Sequence, residues 1–106
     1  MGSLIYGSTA IEIEFEDRTL EHLQIVIATK LRRRESFFFS WRDPIKVGDG
    51  RSSLWLDPGI PLYFKYSGGR VPTISRPWLA ELTASANSSS GLVLSDEPAL
   101  DNSAKP

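Results

Sequence analysis

Apolar and polar residues alternate through Ala10-Ile11-Glu12-Ile13-Glu14-Phe15-Glu16, with Ile11, Ile13 and Phe15 on one side and glutamates on the other. Successive side chains of an extended strand point to opposite faces, so this run predicts a half-buried strand. The apolar run Leu4-Ile5-Tyr6 before it predicts a partner strand, joined through a Gly7-Ser8-Thr9 turn. The period then changes. Leu20, Leu23, Ile27 and Leu31 recur three and four apart, which predicts a helix running to about Arg33, capped by Asp17 or Thr19. Ile25 and Val26 lie off that stripe, beside His22 and Thr29. A helix apolar on two sides is covered twice inside its own domain or meets a second copy of the chain.

Three further runs predict successive strands: Glu35 to Trp41, Arg51 to Leu56 and Ile60 to Tyr66. Asp43-Pro44 opens the first connection and Gly48-Asp49-Gly50 closes it, while Asp57-Pro58-Gly59 predicts a tight second turn. Alternation assigns Phe37, Phe39, Trp41, Leu54, Leu56, Ile60, Leu62, Phe64 and Tyr66 to a buried face. The opposite face then carries Phe38, Trp55 and Tyr63 among Ser36, Ser40, Ser53 and Lys65. If the strands form one meander, its outer rows read Phe38–Trp55–Pro61 and Ser40–Ser53–Tyr63. Pro61 cannot donate to a ladder, which predicts a free edge where the last of these strands begins. An outer strip of large rings calls for a covering layer, a partner or a ligand.

Ser67-Gly68-Gly69-Arg70 predicts a turn, and Ser75 is placed to cap a second helix that tolerates Pro77 in its first turn. Trp78, Leu79, Leu82 and Ala86 form its stripe, Asn87-Ser88-Ser89-Ser90-Gly91 ends it, and Leu92-Val93-Leu94 predicts a last short strand. The expected fold is α+β in two layers, an antiparallel meander with two helices, in the order β-β-α-β-β-β-α-β. Residues 1–94 are expected to form one domain, and 95–106 a disordered acidic tail.

Charge adds a pattern that the net value of −1 conceals. Residues 1–29 hold Glu12, Glu14, Glu16, Asp17 and Glu21 against Arg18 alone. Residues 30–76 hold Lys30, Arg32, Arg33, Arg34, Arg42, Lys46, Arg51, Lys65, Arg70 and Arg76 against Glu35, Asp43, Asp49 and Asp57. A basic middle suits a polyanion, and it equally suits pairing with the protein's own acidic surface. Part of the cluster from Lys30 to Arg34 is expected to serve the helix's negative end. The absence of cysteine excludes disulfides, thiol catalysis and thiolate metal sites. No stretch has the length and apolarity of a membrane span, and Met1-Gly2-Ser3-Leu4 has none of the character of a secretory leader. A cytoplasmic location is expected.

Candidate chemistry is sparse. His22 is the lone histidine and has no serine elbow or zinc cluster to work with. Glu12, Glu14, Glu16 and Asp17 spread along a strand instead of converging on a point, so neither a metal nor a cofactor is expected. Gly48-Asp49-Gly50-Arg51-Ser52-Ser53 could cradle phosphate, but it reads first as a hairpin turn. Phe38, Trp55 and Tyr63 beside Lys30, Arg32, Arg33, Arg34, Arg42, Arg51 and Lys65 match the chemistry of a base-stacking platform with phosphate contacts.

Leu4-Ile5-Tyr6-Gly7, Phe15-Glu16-Asp17-Arg18, His22 to Ile27, Lys30-Leu31-Arg32-Arg33, Glu35 to Trp41, Gly48 to Ser53 and Ile60 to Lys65 form a series of runs in order. Together they resemble a family of short uncharacterised actinobacterial proteins. The resemblance spans the chain to about Leu94. Some family members carry an automatic label of ATP-dependent DNA ligase, and no catalytic residues come with it. Such ligases attach AMP to the lysine of a Lys-x-Asp-Gly motif, whereas Lys46-Val47-Gly48-Asp49-Gly50 has one residue too many between lysine and aspartate.

The expected function is therefore a small non-catalytic binding module. Its expected partner is nucleic acid or a nucleic-acid enzyme, met through the aromatic and basic surface. The alternative is a homodimer or other protein-interaction unit using His22, Ile25 and Val26 together with the exposed aromatics. Ligase-type nucleotidyl transfer is the least favoured reading.

Overall fold

The computed structural model describes residues 1–43, 48 and 50–99. Its elements are β1 (Gly2–Tyr6), β2 (Ile11–Phe15), α1 (Asp17–Arg32), β3 (Phe37–Arg42), β4 (Arg51–Leu56), β5 (Leu62–Lys65), α2 (Arg76–Ala86) and β6 (Leu92–Val93). The α+β class and the order of elements are those the sequence predicts. The sheet is not continuous. Two three-stranded sheets form, ordered β2-β1-β5 and β4-β3-β6. All pairings are antiparallel except β6 with β3, which is parallel.

The expected β3–β4 hairpin forms in the anticipated register, with Phe38 opposite Trp55 and Ser40 opposite Ser53. The β4–β5 pair does not form, and the reason lies in two carbonyls. Tyr6 Oη donates to the Trp55 carbonyl at 2.6 Å, and the Gly7 amide donates to the Pro61 carbonyl at 2.9 Å. Groups that a β4–β5 ladder would have used are thus taken by the end of β1. Pro61 supplies no amide in return. The Asp57 turn still closes, through Ile60 N to Asp57 O at 3.0 Å, but the chain leaving it pairs with β1.

Helix α1 starts without a side-chain cap, since Glu16 stands at the cap position and makes no such bond. Asp17, expected to cap, grips the β5–α2 connection. It accepts from Ser67 N at 3.1 Å and Gly68 N at 2.9 Å. The helix ends in a Schellman motif, in which Glu35 N bonds Lys30 O and Arg34 N bonds Leu31 O. The second helix is capped as expected, with Ser75 Oγ accepting from Trp78 N at 3.3 Å. One core joins all layers: Leu4 and Phe15 from the first sheet, Leu20, Leu23 and Ile27 from α1, Phe37, Phe39 and Leu56 from the second, and Trp78 and Leu82 from α2. Phe15 bridges the sheets, its ring 6.0 Å from Phe39 and 5.9 Å from Trp41.

Residues past the expected domain end are tied back. The Trp78 indole donates to Ser95 O at 3.1 Å. Arg18 forms a two-pronged pair with Glu97, at 2.7 and 2.6 Å, and also donates to the Thr73 carbonyl. The segment 100–106 of the expected tail lies outside the described residues.

Gly91 fixes the join between α2 and β6. Its φ is 77°, and a Cβ there would lie 2.5 Å from the Phe38 carbonyl oxygen. Gly91→Ala therefore combines left-handed strain with a backbone clash, and it should lower unfolding free energy by about 2 kcal/mol or more in a urea titration. Acid should also weaken the fold. The Gly68 and Ser67 amides hold Asp17 below its ordinary pKa, and the Arg18 guanidinium does the same for Glu97. Carboxylates depressed in the folded state contribute stability above their unfolded pKa, and that contribution is lost as pH falls through the depressed values. The melting temperature should hold near neutrality and decline below about pH 4. Asp17→Asn should lower the neutral value and flatten the decline.

Candidate binding surface

The β3–β4 hairpin turns Phe38, Ser40 and Arg42 outward from one strand and Trp55, Ser53 and Arg51 from the other, in three facing pairs. Phe38 is 51% exposed and Trp55 45%, and their rings meet edge to face at 5.0 Å. The Ser40 and Ser53 hydroxyls bond each other at 2.7 Å. Arg42 and Arg51 close the row, both exposed. At about 3.3 Å per residue, four residues of strand place the arginine pair roughly 13 Å from the ring pair. Val93 of β6 joins this face beside Ser40 and is 45% exposed. A shallow depression of about 750 Å³ at its arginine end is lined by Ser40, Arg42, Arg51, Ser90, Val93 and Leu94 among others.

Tyr63 and Lys65 do not belong to this face. Both project from β5 in the other sheet, where Tyr63 stands opposite Ile5 and Lys65 opposite Ser3. Tyr63 is 60% exposed, so the ring is free, but it lies outside the expected row with Trp55 and Ser53. The transfer of β5 to β1 removes it.

The cluster at the end of α1 divides. Lys30 is only 9% exposed and is occupied inside the fold. Its ammonium pairs with Glu35 at 2.6 Å, donates to Asn87 Oδ1 at 3.0 Å, and lies 5.6 Å from the Phe37 ring centre. Arg33 reaches Glu35 at 3.2 Å, and the bond from Lys30, with these two cations nearby, holds the Glu35 carboxyl low. Arg32 and Arg34 are exposed. Arg34 has φ of 60°, the left-handed position of the Schellman motif, where glycine is the favoured residue. A branched-off side chain there costs about 1–2 kcal/mol.

The expected interaction face of α1 is largely covered. His22 is fully buried and Val26 is 3% exposed, while Ile25 is half-buried. Both imidazole nitrogens are used. Nε2 accepts from Ser75 N at 2.8 Å, leaving Nδ1 to donate to Arg18 O at 2.7 Å, and Trp78 stacks on the ring at 4.6 Å. His22 therefore fastens the start of α2 to α1, and the second apolar side of the helix is buried against that helix. Lys46 and Asp49, the centre of the ligase-like run, lie outside the described residues. Among the described residues, no group of three or more acidic or histidine side chains gathers as a metal set would require.

A small α+β domain built on two three-stranded sheets is the class these features define. A domain family of unknown function, DUF7882, matches residues 1–97, and the chain belongs to that family. Neither a curated protein nor a solved structure matches the chain. The family match ends at Glu97, the residue that Arg18 anchors. No helix among the described residues is long and apolar enough to cross a membrane.

Arg34→Gly separates the two effects of the strained arginine. It should raise unfolding free energy by about 1 kcal/mol, because glycine adopts φ of 60° without a Cβ clash. The same variant should weaken retention on a heparin column. Chemical denaturation and the salt concentration of elution read the two outcomes.

Proposed function

We propose that this protein is a non-catalytic module that binds single-stranded nucleic acid through the outer face of the β3–β4 hairpin. The observation that carries this reading is the exposed Phe38–Trp55 pair, set in one row of facing residues with Arg42 and Arg51. Bases stack on aromatic faces whatever their sequence, while guanidinium groups along the same groove meet the phosphates. An unstacked single strand exposes its bases to such a platform, and a closed duplex does not. Arg32 and Arg34 stand exposed at the end of α1, the element that leads into β3.

Protein association is the alternative for the same rings. A homodimer through His22, Ile25 and Val26 would need α2 to leave α1, so that version is disfavoured by burial. Ligase-type nucleotidyl transfer draws no support from the geometry of the described residues.

Titration of the native tryptophan fluorescence with a short oligothymidylate tests the proposal. Binding should be seen at low salt and weaken steeply as salt rises, with a logarithmic slope of about −0.7 per phosphate neutralised. Trp55→Ala should lose about 1–3 kcal/mol of binding, the contribution of one stacked base. It also removes the edge-to-face contact with Phe38 and should lower the melting temperature modestly, so binding is compared well below that midpoint. An oligonucleotide that fails to bind at low salt, or that ignores Trp55→Ala, would reject the assignment.

A further inference from the structure

A second surface has different chemistry. Strand β2 is the outer member of its sheet, paired with β1 on one side and, among the described residues, with no strand on the other. Along such an edge, the amides and carbonyls of alternate residues point away from the sheet. Beside it runs a cleft of about 860 Å³, lined along β2 by residues 11–15, the glutamates among them. Its facing wall holds Trp41, Ser52 and Leu54 with one cation, Arg42, and one acid, Asp43, so that the glutamates of β2 leave its charge balance negative. Ile11 is 50% exposed there. On the other face of the same strand, Glu12 and Glu14 project outward, Glu12 accepting from Ser3 Oγ at 2.7 Å.

The geometry points to β2 as a docking edge for an extended segment of a partner protein, one that alternates apolar residues with lysine or arginine. A strand added to β2 would complete the main-chain ladder. Its side chains alternate in the same phase as those of β2. One set would drop into the cleft against Ile11, Ile13 and Leu54, and the other would stand beside Glu12 and Glu14. Opposite charges directly across a strand pair are favourable and like charges are not. That rule selects a basic strand. It also excludes a second copy, because β2 paired with itself would set the glutamates of both copies side by side. Nucleic acid is excluded from this edge by the same two carboxylates.

The test uses the full-length protein and a synthetic peptide, Val-Lys-Val-Lys-Val-Lys-Val, capped at both ends. Isothermal titration should show binding, with a peptide carrying glutamate in place of lysine weaker by about tenfold or more. Glu14→Lys, which sets one cation beside Glu12, should abolish that preference and leave the circular dichroism spectrum unchanged, since Glu14 is exposed. Methylating alternate amides of the peptide should abolish binding by removing the ladder donors. Trp55→Ala should leave peptide affinity unchanged, which separates this surface from the nucleic-acid face. Failure of the lysine peptide to bind, indifference to the charge exchange, or equal binding of the methylated peptide would each overturn the proposal. So would a concentration-dependent dimer that the peptide disperses.

Discussion

The end of β1 decides the architecture. Tyr6 Oη holds the Trp55 carbonyl and Gly7 N holds the Pro61 carbonyl, so the chain that leaves β4 pairs with β1 and not with β4. These are two hydrogen bonds, each worth only about 1 kcal/mol net. Their effect is larger than that, because they choose between two registers of an entire strand. With β5 on β1, Leu62 and Phe64 pack against the core and the first sheet gains its third strand. The β3–β4 hairpin is left with two edges, and only β6 covers one of them.

This choice also shapes the surface. Had β5 joined β4, Pro61 and Tyr63 would have extended the ring platform sideways. Instead the platform narrows to Phe38 and Trp55, with Arg42 and Arg51 along the same two strands. The outcome is a single narrow track, which suits one extended polymer better than a broad flat partner. The acidic strand β2 belongs to the other sheet, and its glutamates meet Arg42 and Ser53, at the arginine end of the track, across one cleft. The chain's net charge near zero hides both the acidic strand and the basic row.

Buried polar groups do structural work in this fold. His22 and Lys30 lie inside, and each satisfies its donors or acceptors with partners distant in sequence: Ser75 for the histidine, Asn87 for the lysine. Both fasten α1 to the segment that carries α2. No buried side-chain nitrogen or oxygen among the described residues is left without a partner. Removal of either anchor would therefore strand a polar group, which costs more than the bond itself contributes.

Local periodicity determined the elements. The alternation of Ile11, Ile13 and Phe15, the stripe from Leu20 to Leu31, the Ser75 cap and the Phe38–Trp55 register all follow from rules that act over a few residues. The exposure of Phe38 and Trp55 does not follow, because a strand with large residues on both faces can be covered on both by its own fold, and only the tertiary structure leaves this face open. Pairing across distance was decided by tertiary structure. Nothing local distinguishes β4 from β1 as a partner for β5, since the competing bonds involve Tyr6 and Pro61, far apart in the chain. The same limit applies to Lys30 and His22, whose burial depends on where α2 lands, and to Arg34, whose left-handed backbone carries no glycine or asparagine to announce it. Short-range sterics write the elements into the sequence, while competition among distant hydrogen-bonding groups settles how they assemble.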